Sequence, residues 1–434
     1  MKRDFIKKLV EWKENLGRKP LLITGVRQCG KTHTLKEFAS EYFENFCYIN
    51  FEADSSYASI FEYDFDVERI LKEIQLLEQC KITDGKTLLI FDEIQETPRA
   101  ITSLKYFCEN MPNLHVACAG SLLGVALKKE NISFPVGKVN RMQMYPMSFK
   151  EFLVALGEEK FIELFSNWDF NRKIPDAFSK PLEHLLKEYY IVGGMPEVVQ
   201  RYINSKDLKL VQEIQDEILL DYADDFSKHA PVSEIEKIRL VWDSVPKQLA
   251  KENSKFVFSH VKEGKRAREL EGALQWLKNA GLIYLLKFVQ NAEPPLSAHA
   301  DAIYFKVYLA DQGLLCRRLG LNYKDFLSEH SALKTFKGAV VENYVLNELI
   351  RSGKVPYFWR SGNTAELDFL FEHDGEIVPV EVKSATNTQA KSYKYFCKKY
   401  APKTGYKLSL KNLAINDLDG TSTISLPLYL AWKI

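Results

Sequence analysis

The most constraining feature of this sequence is an eight-residue run near its start, Gly25-Val26-Arg27-Gln28-Cys29-Gly30-Lys31-Thr32. It directly follows the apolar run Leu21-Leu22-Ile23-Thr24. It precedes His33-Thr34-Leu35-Lys36-Glu37-Phe38, which reads as a helix. A buried strand, a loop bracketed by glycines and a helix opening on Lys-Thr make a P-loop. Gly25 and Gly30 let the backbone curl so that several N–H groups face phosphate oxygens. The positive end of the following helix adds to them. Lys31 reaches for β- and γ-phosphates, and the Thr32 hydroxyl for Mg²⁺. Gly25, Val26, Arg27, Gln28, Cys29, Gly30, Lys31, Thr32 and His33 are therefore the expected ATP contacts. The rival reading is a chance match in a glycine-bearing loop, and the strand and helix on either side argue against it.

A second motif completes the chemistry. Thr87-Leu88-Leu89-Ile90-Phe91 reads as a buried strand running into Asp92-Glu93. That places two carboxylates at the carboxyl edge of a parallel sheet, where open α/β sheets bind ligands. Asp92, with Thr32, is expected to hold Mg²⁺, and Glu93 to act as general base toward water. Taken alone, two acids after a strand are equally a helix cap. His115-Val116-Ala117-Cys118-Ala119-Gly120 reads as a further strand ending at Ser121. Ser121 is expected between the two motifs, touching the γ-phosphate or its water, or else capping a helix over 122–129. Lys31, Glu93 and Ser121 form the expected catalytic set. Further strands are expected at 46–51 and 139–145. An amphipathic helix is expected over 4–17, with Phe5, Leu9, Trp12 and Leu16 on one stripe. Ser148 and Glu151 form a capping box.

These residues resemble the prokaryotic AAA-type ATPases whose carboxyl half is a family of unknown function with a nuclease-like end. The resemblance rests on Gly25–Thr32, Phe91-Asp92-Glu93-Ile94-Gln95, Ala119-Gly120-Ser121, Tyr145-Pro146-Met147-Ser148-Phe149-Lys150-Glu151-Phe152 and the stretch 189–196. Relatives carry Gly-Arg where this chain has Gly137-Lys138, which leaves Lys138 or Arg141 as arginine-finger analogues. The fold class so implied is α/β. A P-loop NTPase parallel-sheet core of the AAA type spans 1–155. A helical lid (156–230) and a winged-helix-like middle (231–292) follow it. A carboxyl-terminal α/β nuclease-like domain takes up 293–434.

In the middle segment, helical patterns at 233–249, 256–262 and 265–280 precede a strand, the order of a winged helix. Lys265, Arg266 and Arg268 then stand where a recognition helix meets DNA. The plain alternative is a solvated face on a packing helix. Farther on, Ala365–Phe371 and Ile377–Lys383 alternate around Asp374-Gly375, a two-residue hairpin turn. That register sets Asp368 opposite Glu381 and Glu366 opposite Lys383. A helix from about 337 to 351 supplies Glu342. Spacing alone is equally met by a polar hairpin face with cross-strand ion pairs. The set resembles the PD-(D/E)XK nuclease fold, which implies a metal site at Glu342, Asp368, Glu381 and Lys383. Lys391, Lys394, Lys398 and Lys399 offer a basic helix face, for nucleic acid or for solvent.

Charge excludes one class of explanation. With 59 Lys and Arg against 58 Asp and Glu, only local patches can attract nucleic acid. Seven cysteines, an odd number with no Cys-x-x-Cys pair, argue against a disulfide framework or zinc site and fit a cytoplasmic protein. No apolar run approaches the ~20 residues of a membrane span, and the charged start lacks the apolar core of a signal peptide. Three functions compete: an ATP-driven machine acting on DNA, a nucleotide-switched module that binds protein partners, and a metal-dependent nuclease regulated by the ATPase.

Overall fold

Short apolar runs that alternate with amphipathic stretches build the first half of the chain as a parallel sheet between helices. The computed structural model describes residues 1–121, 134–251, 255–264, 266–327, 333–362, 365–384 and 390–434. The chain divides into two compact units, Met1–Pro146 with Asn279–Gly281, and Met147–Lys278 with Leu282–Ile434.

In the first unit the strands are β1 (Leu21–Thr24), β2 (Asn45–Asn50), β3 (Thr87–Asp92), β4 (His115–Ala119) and β5 (Asn140–Gln143). They pair in the order β2-β3-β4-β1-β5, and every pairing is parallel. The helices are α1 (Phe5–Glu14), α2 (Lys31–Tyr42), α3 (Val67–Glu78) and α4 (Pro98–Asn110). β3 and β4 are buried along their whole length, as strands covered on both faces must be. Phe51, Phe61, Phe91 and Phe107 interlock edge to face beneath the sheet. Phe5, Leu9 and Trp12 bury the α1 stripe. Leu16 does not join it: the helix ends at Glu14, and Leu16 lies beyond it, 98% exposed. The order puts β4 between the strand that feeds the P-loop and the strand that ends in Asp92.

The second unit opens with helices: α5 (Phe149–Ala155), α6 (Glu159–Ser166), α7 (Asp176–Val192), α8 (Pro196–Ser205), α9 (Leu208–His229), α10 (Val232–Leu249) and α11 (Ala267–Asn279). The expected capping box at α5 is present in both directions, Ser148 with Glu151. A mixed eight-stranded sheet follows. Its strands are β6 (Ile283–Val289), β7 (Ala300–Leu309), β8 (Tyr357–Ser361), β9 (Ala365–His373), β10 (Glu376–Val382), β11 (Thr404–Ser409), β12 (Ala414–Leu418) and β13 (Thr421–Pro427). Their order is β12-β13-β11-β10-β9-β8-β6-β7. Among the described residues, the helices α12 (Gln312–Leu319), α13 (Tyr323–Leu327), α14 (Lys334–Arg351) and α15 (Lys391–Tyr400) interleave with them.

Over 231–292, among the described residues, a single 3-10 turn at Phe258–His260 separates α10 from α11. β6 enters the large sheet between β7 and β8. The expected boundary at 292 therefore crosses the hydrogen-bonded pair of β6 and β7. Lys265 and the expected helix after Ser121 lie outside the described residues.

Candidate functional site

The loop between β1 and α2 needs its glycines. A Cβ on Gly25 would stand 2.3 Å from the Met144 carbonyl oxygen. Gly30 holds φ at 95°, left-handed territory that L side chains avoid. Arg3, buried in the same unit, donates to the Cys29 carbonyl at 2.8 Å and the Tyr145 carbonyl at 2.7 Å, bracing the loop from below. The Lys31 ammonium donates to the carbonyls of Gly25 and Val26, 3.0 Å each, and so lies across the loop it serves. His33 is the exception among the expected contacts. Its side chain is 72% exposed and faces Glu37 at 3.7 Å, so only its backbone remains near the helix start.

The carboxyl ends of β3 and β4 bring the remaining groups together. Thr32 Oγ1 donates to Asp92 Oδ2 at 2.7 Å, and the Tyr48 hydroxyl donates to the same oxygen at 2.8 Å. Burial and the hydrogen bond to Asp92 push the Tyr48 hydroxyl well above its usual pKa, so it stays a donor. Asn50 in turn donates to Tyr48. Glu93 sits at φ 49°, ψ 43°, a left-handed conformation costing about 1–3 kcal/mol, of the kind that active sites tolerate when it aims a side chain. Its Oε2 accepts from Gln95 at 2.6 Å and from the Ser121 hydroxyl at 3.3 Å. Thr32, Asp92, Glu93 and Ser121 thus form one cluster at the sheet edge. The oxygens of Thr32 and Asp92 are the hard donors that Mg²⁺ prefers.

Tyr48 is a member that sequence reading missed. Asn50 pairs with Asp92 in the β2–β3 register, and Tyr48 lies two residues before it on the same face. Tyr48→Phe removes one of the two side-chain donors that fix Asp92. We expect turnover to fall about tenfold at limiting Mg²⁺, in line with the loss of a hydrogen bond to a charged group, and to recover partly as Mg²⁺ is raised. A magnesium titration of ATP turnover checks this.

The two finger candidates are otherwise engaged. Lys138 pairs with Glu109 at 2.9 Å, and the exposed Arg141 lies over the Phe134 ring at 4.1 Å.

The second unit holds another polar cluster. The Asp374-Gly375 turn has positive φ at both residues, 50° and 76°, and the β9–β10 register is the expected one, with Val380 beside Phe369. Asp368 accepts from the Val382 amide at 2.7 Å, and Lys383 pairs with Glu381 at 2.7 Å. Glu366 departs from expectation. Rather than facing Lys383, it pairs with Lys306 at 2.6 Å and Arg360 at 3.2 Å. Glu342, on α14, accepts from the Tyr308 hydroxyl at 3.2 Å. Burial first, then the neighbouring Asp368, raises the Glu381 carboxyl to about 8. Burial likewise raises Glu342 to about 7 against the pull of Lys306. Among the described residues no group of three or more His, Cys, Asp or Glu side chains is arranged to hold a metal ion.

Residues 17–153 match the family model of an AAA domain. Residues 183–325 and 337–429 match two domains of unknown function, DUF8612 and DUF4143. An uncharacterized protein of Haemophilus influenzae is 24% identical over 400 residues, covering 88% of this chain and 86% of its own length. Among solved structures, the Walker-type ATPase of Pyrococcus abyssi is 17% identical, with 73% of this chain and 95% of that one covered and a TM-score of 0.45. The Aeropyrum pernix ORC1 protein in complex with DNA is 14% identical, with 73% and 91% covered and a TM-score of 0.30. The chain carries an AAA-type P-loop domain followed by two domains of unknown function. Among the described residues no helix is long and apolar enough to cross a membrane.

Proposed function

We propose that this chain hydrolyses ATP with Mg²⁺ at the carboxyl edge of its five-stranded sheet, and that turnover is coupled to work on DNA. One observation carries the first part: Thr32, Asp92, Glu93 and Ser121 meet beside a glycine-dependent loop that Lys31 spans. Lys31 exchanges two carbonyl partners for phosphate oxygens, a stronger charge-assisted pairing. Thr32 and Asp92 would hold Mg²⁺, which neutralises phosphate charge when bound. Glu93 accepts the proton of the attacking water. Ser121 holds the Glu93 carboxylate in place.

Exposed cations support the second part. Arg266 and Arg268 stand at the start of α11, and Lys391, Lys394, Lys398 and Lys399 are exposed on α15. Such groups bind phosphate backbones through counterion release. The test is ATP turnover by the full chain with and without duplex DNA. Lys31→Ala is expected to weaken nucleotide binding and abolish turnover. Turnover unchanged in Lys31→Ala would remove the ATPase reading. Turnover indifferent to DNA would leave the ATPase but favour a nucleotide-switched module with protein partners. The internal pairing of Glu366, Glu381 and Lys383 already suits that second reading.

A further inference from the structure

We infer that Lys306 is the built-in cation of the carboxylate face in the second unit. It stands in the place of the divalent metal that a nuclease-like site would need, so this face works without metal. Lys306 lies on β7 and is 2% exposed. Its ammonium meets Glu366 Oε1 at 2.6 Å. Burial alone would lower its basicity, yet the carboxylates of Glu342, Glu366 and Asp368 together raise it. Those three acids come from a helix and a strand that lie far from β7 in sequence.

Most of the rest of the face is paired within the chain. Tyr308, two residues along the same strand, donates to Glu342. The Val382 amide donates to Asp368, Lys383 to Glu381, and Arg360 reaches Glu366. Four acids, Glu342, Glu366, Asp368 and Glu381, therefore face three cations, Lys306, Arg360 and Lys383. The balance is one negative charge at most. Mg²⁺ requires near-octahedral oxygen ligation at about 2.1 Å and gives up its waters reluctantly. Glu381 Oε2 is buried without a hydrogen-bond partner, but one such oxygen falls well short of that shell. A buried ammonium supplies three N–H donors and a positive charge without any ion having to enter.

Melting temperatures of the nucleotide-free full chain, measured with and without millimolar Mn²⁺, test the assignment. Wild type and Asp368→Asn should respond to Mn²⁺ alike, because neither holds the ion on this face. Lys306→Met leaves Glu342, Glu366 and Asp368 short of a cation and should gain a Mn²⁺-dependent rise of several degrees. Lys306→Arg, which keeps the charge, should fold and stay as indifferent to Mn²⁺ as wild type. A Mn²⁺ response in wild type that Asp368→Asn abolishes would overturn the inference, as would Mn²⁺-dependent plasmid nicking lost in Asp368→Asn. A folded Lys306→Met chain that ignores Mn²⁺ would equally overturn it. Should Lys306→Met fail to fold, the comparison of wild type with Asp368→Asn still decides.

Discussion

Glu93→Gln is expected to bind ATP as wild type does and to lose roughly 10²–10⁴ in turnover, the usual contribution of a positioned general base. The amide keeps the shape of the side chain, and its carbonyl oxygen still accepts from Ser121. What disappears is the ability to take a proton from water. Lys31, Thr32 and Asp92 are untouched, so the affinity for nucleotide stays. Equilibrium binding of a fluorescent ATP analogue and steady-state phosphate release, measured on the same sample, separate the two effects. Hydrolysis at the wild-type rate would mean that another group activates the water. Loss of binding together with turnover would mean that Glu93 holds the loop rather than the reaction. The left-handed backbone at Glu93 sharpens the expectation. The fold accepts that strain at the residue following β3 and thereby turns the carboxylate toward Ser121.

What could be read in advance follows from how local each feature is. The P-loop is a contiguous run with its own strand and helix on either side, and Asp92-Glu93, equally a helix cap taken alone, gains its reading from the P-loop before it. The hairpin was equally legible, because Asp374-Gly375 fixes the register of its two strands. Ser121 could be placed because a strand that ends in a polar residue points it at the same sheet edge. Tyr48 escaped because its role depends on the register of β2 against β3, and a parallel pair has no turn to set that register. Lys306 escaped for a stronger reason. It lies 60 residues before Glu366 in the chain, and their meeting depends on the order β9-β8-β6-β7. No hydrophobic pattern encodes strand order. Leu16 was misplaced by one turn of helix, since apolar periodicity continued past the point where Asn15 turns extended.

The largest stability effect is expected at a buried ion pair within the second unit. Arg351 donates to Glu348 Oε1 at 2.9 Å, and their side chains are 9% and 3% exposed. Glu348 also accepts from the Phe149 amide at the start of α5, and Arg351 reaches the Tyr189 hydroxyl at 3.5 Å. Near them, Asp311 accepts from the amides of Gly194 and Leu314, which ties the turn after α7 to α12. Burial raises the Glu348 carboxyl, and the Arg351 guanidinium opposes that rise. Arg351→Met removes the opposing charge and leaves a carboxylate in an apolar setting. We expect a loss of about 3–5 kcal/mol, seen in calorimetry as a drop of roughly 10 °C in the transition of this unit. The double variant Arg351→Met with Glu348→Leu should recover much of that loss, because a well-packed apolar pair avoids the desolvation cost that the ion pair must offset. A single variant that melts with wild type would show that the guanidinium does not hold this junction. A double variant worse than either single would show that the carboxylate, through the Phe149 amide, matters more than the pair.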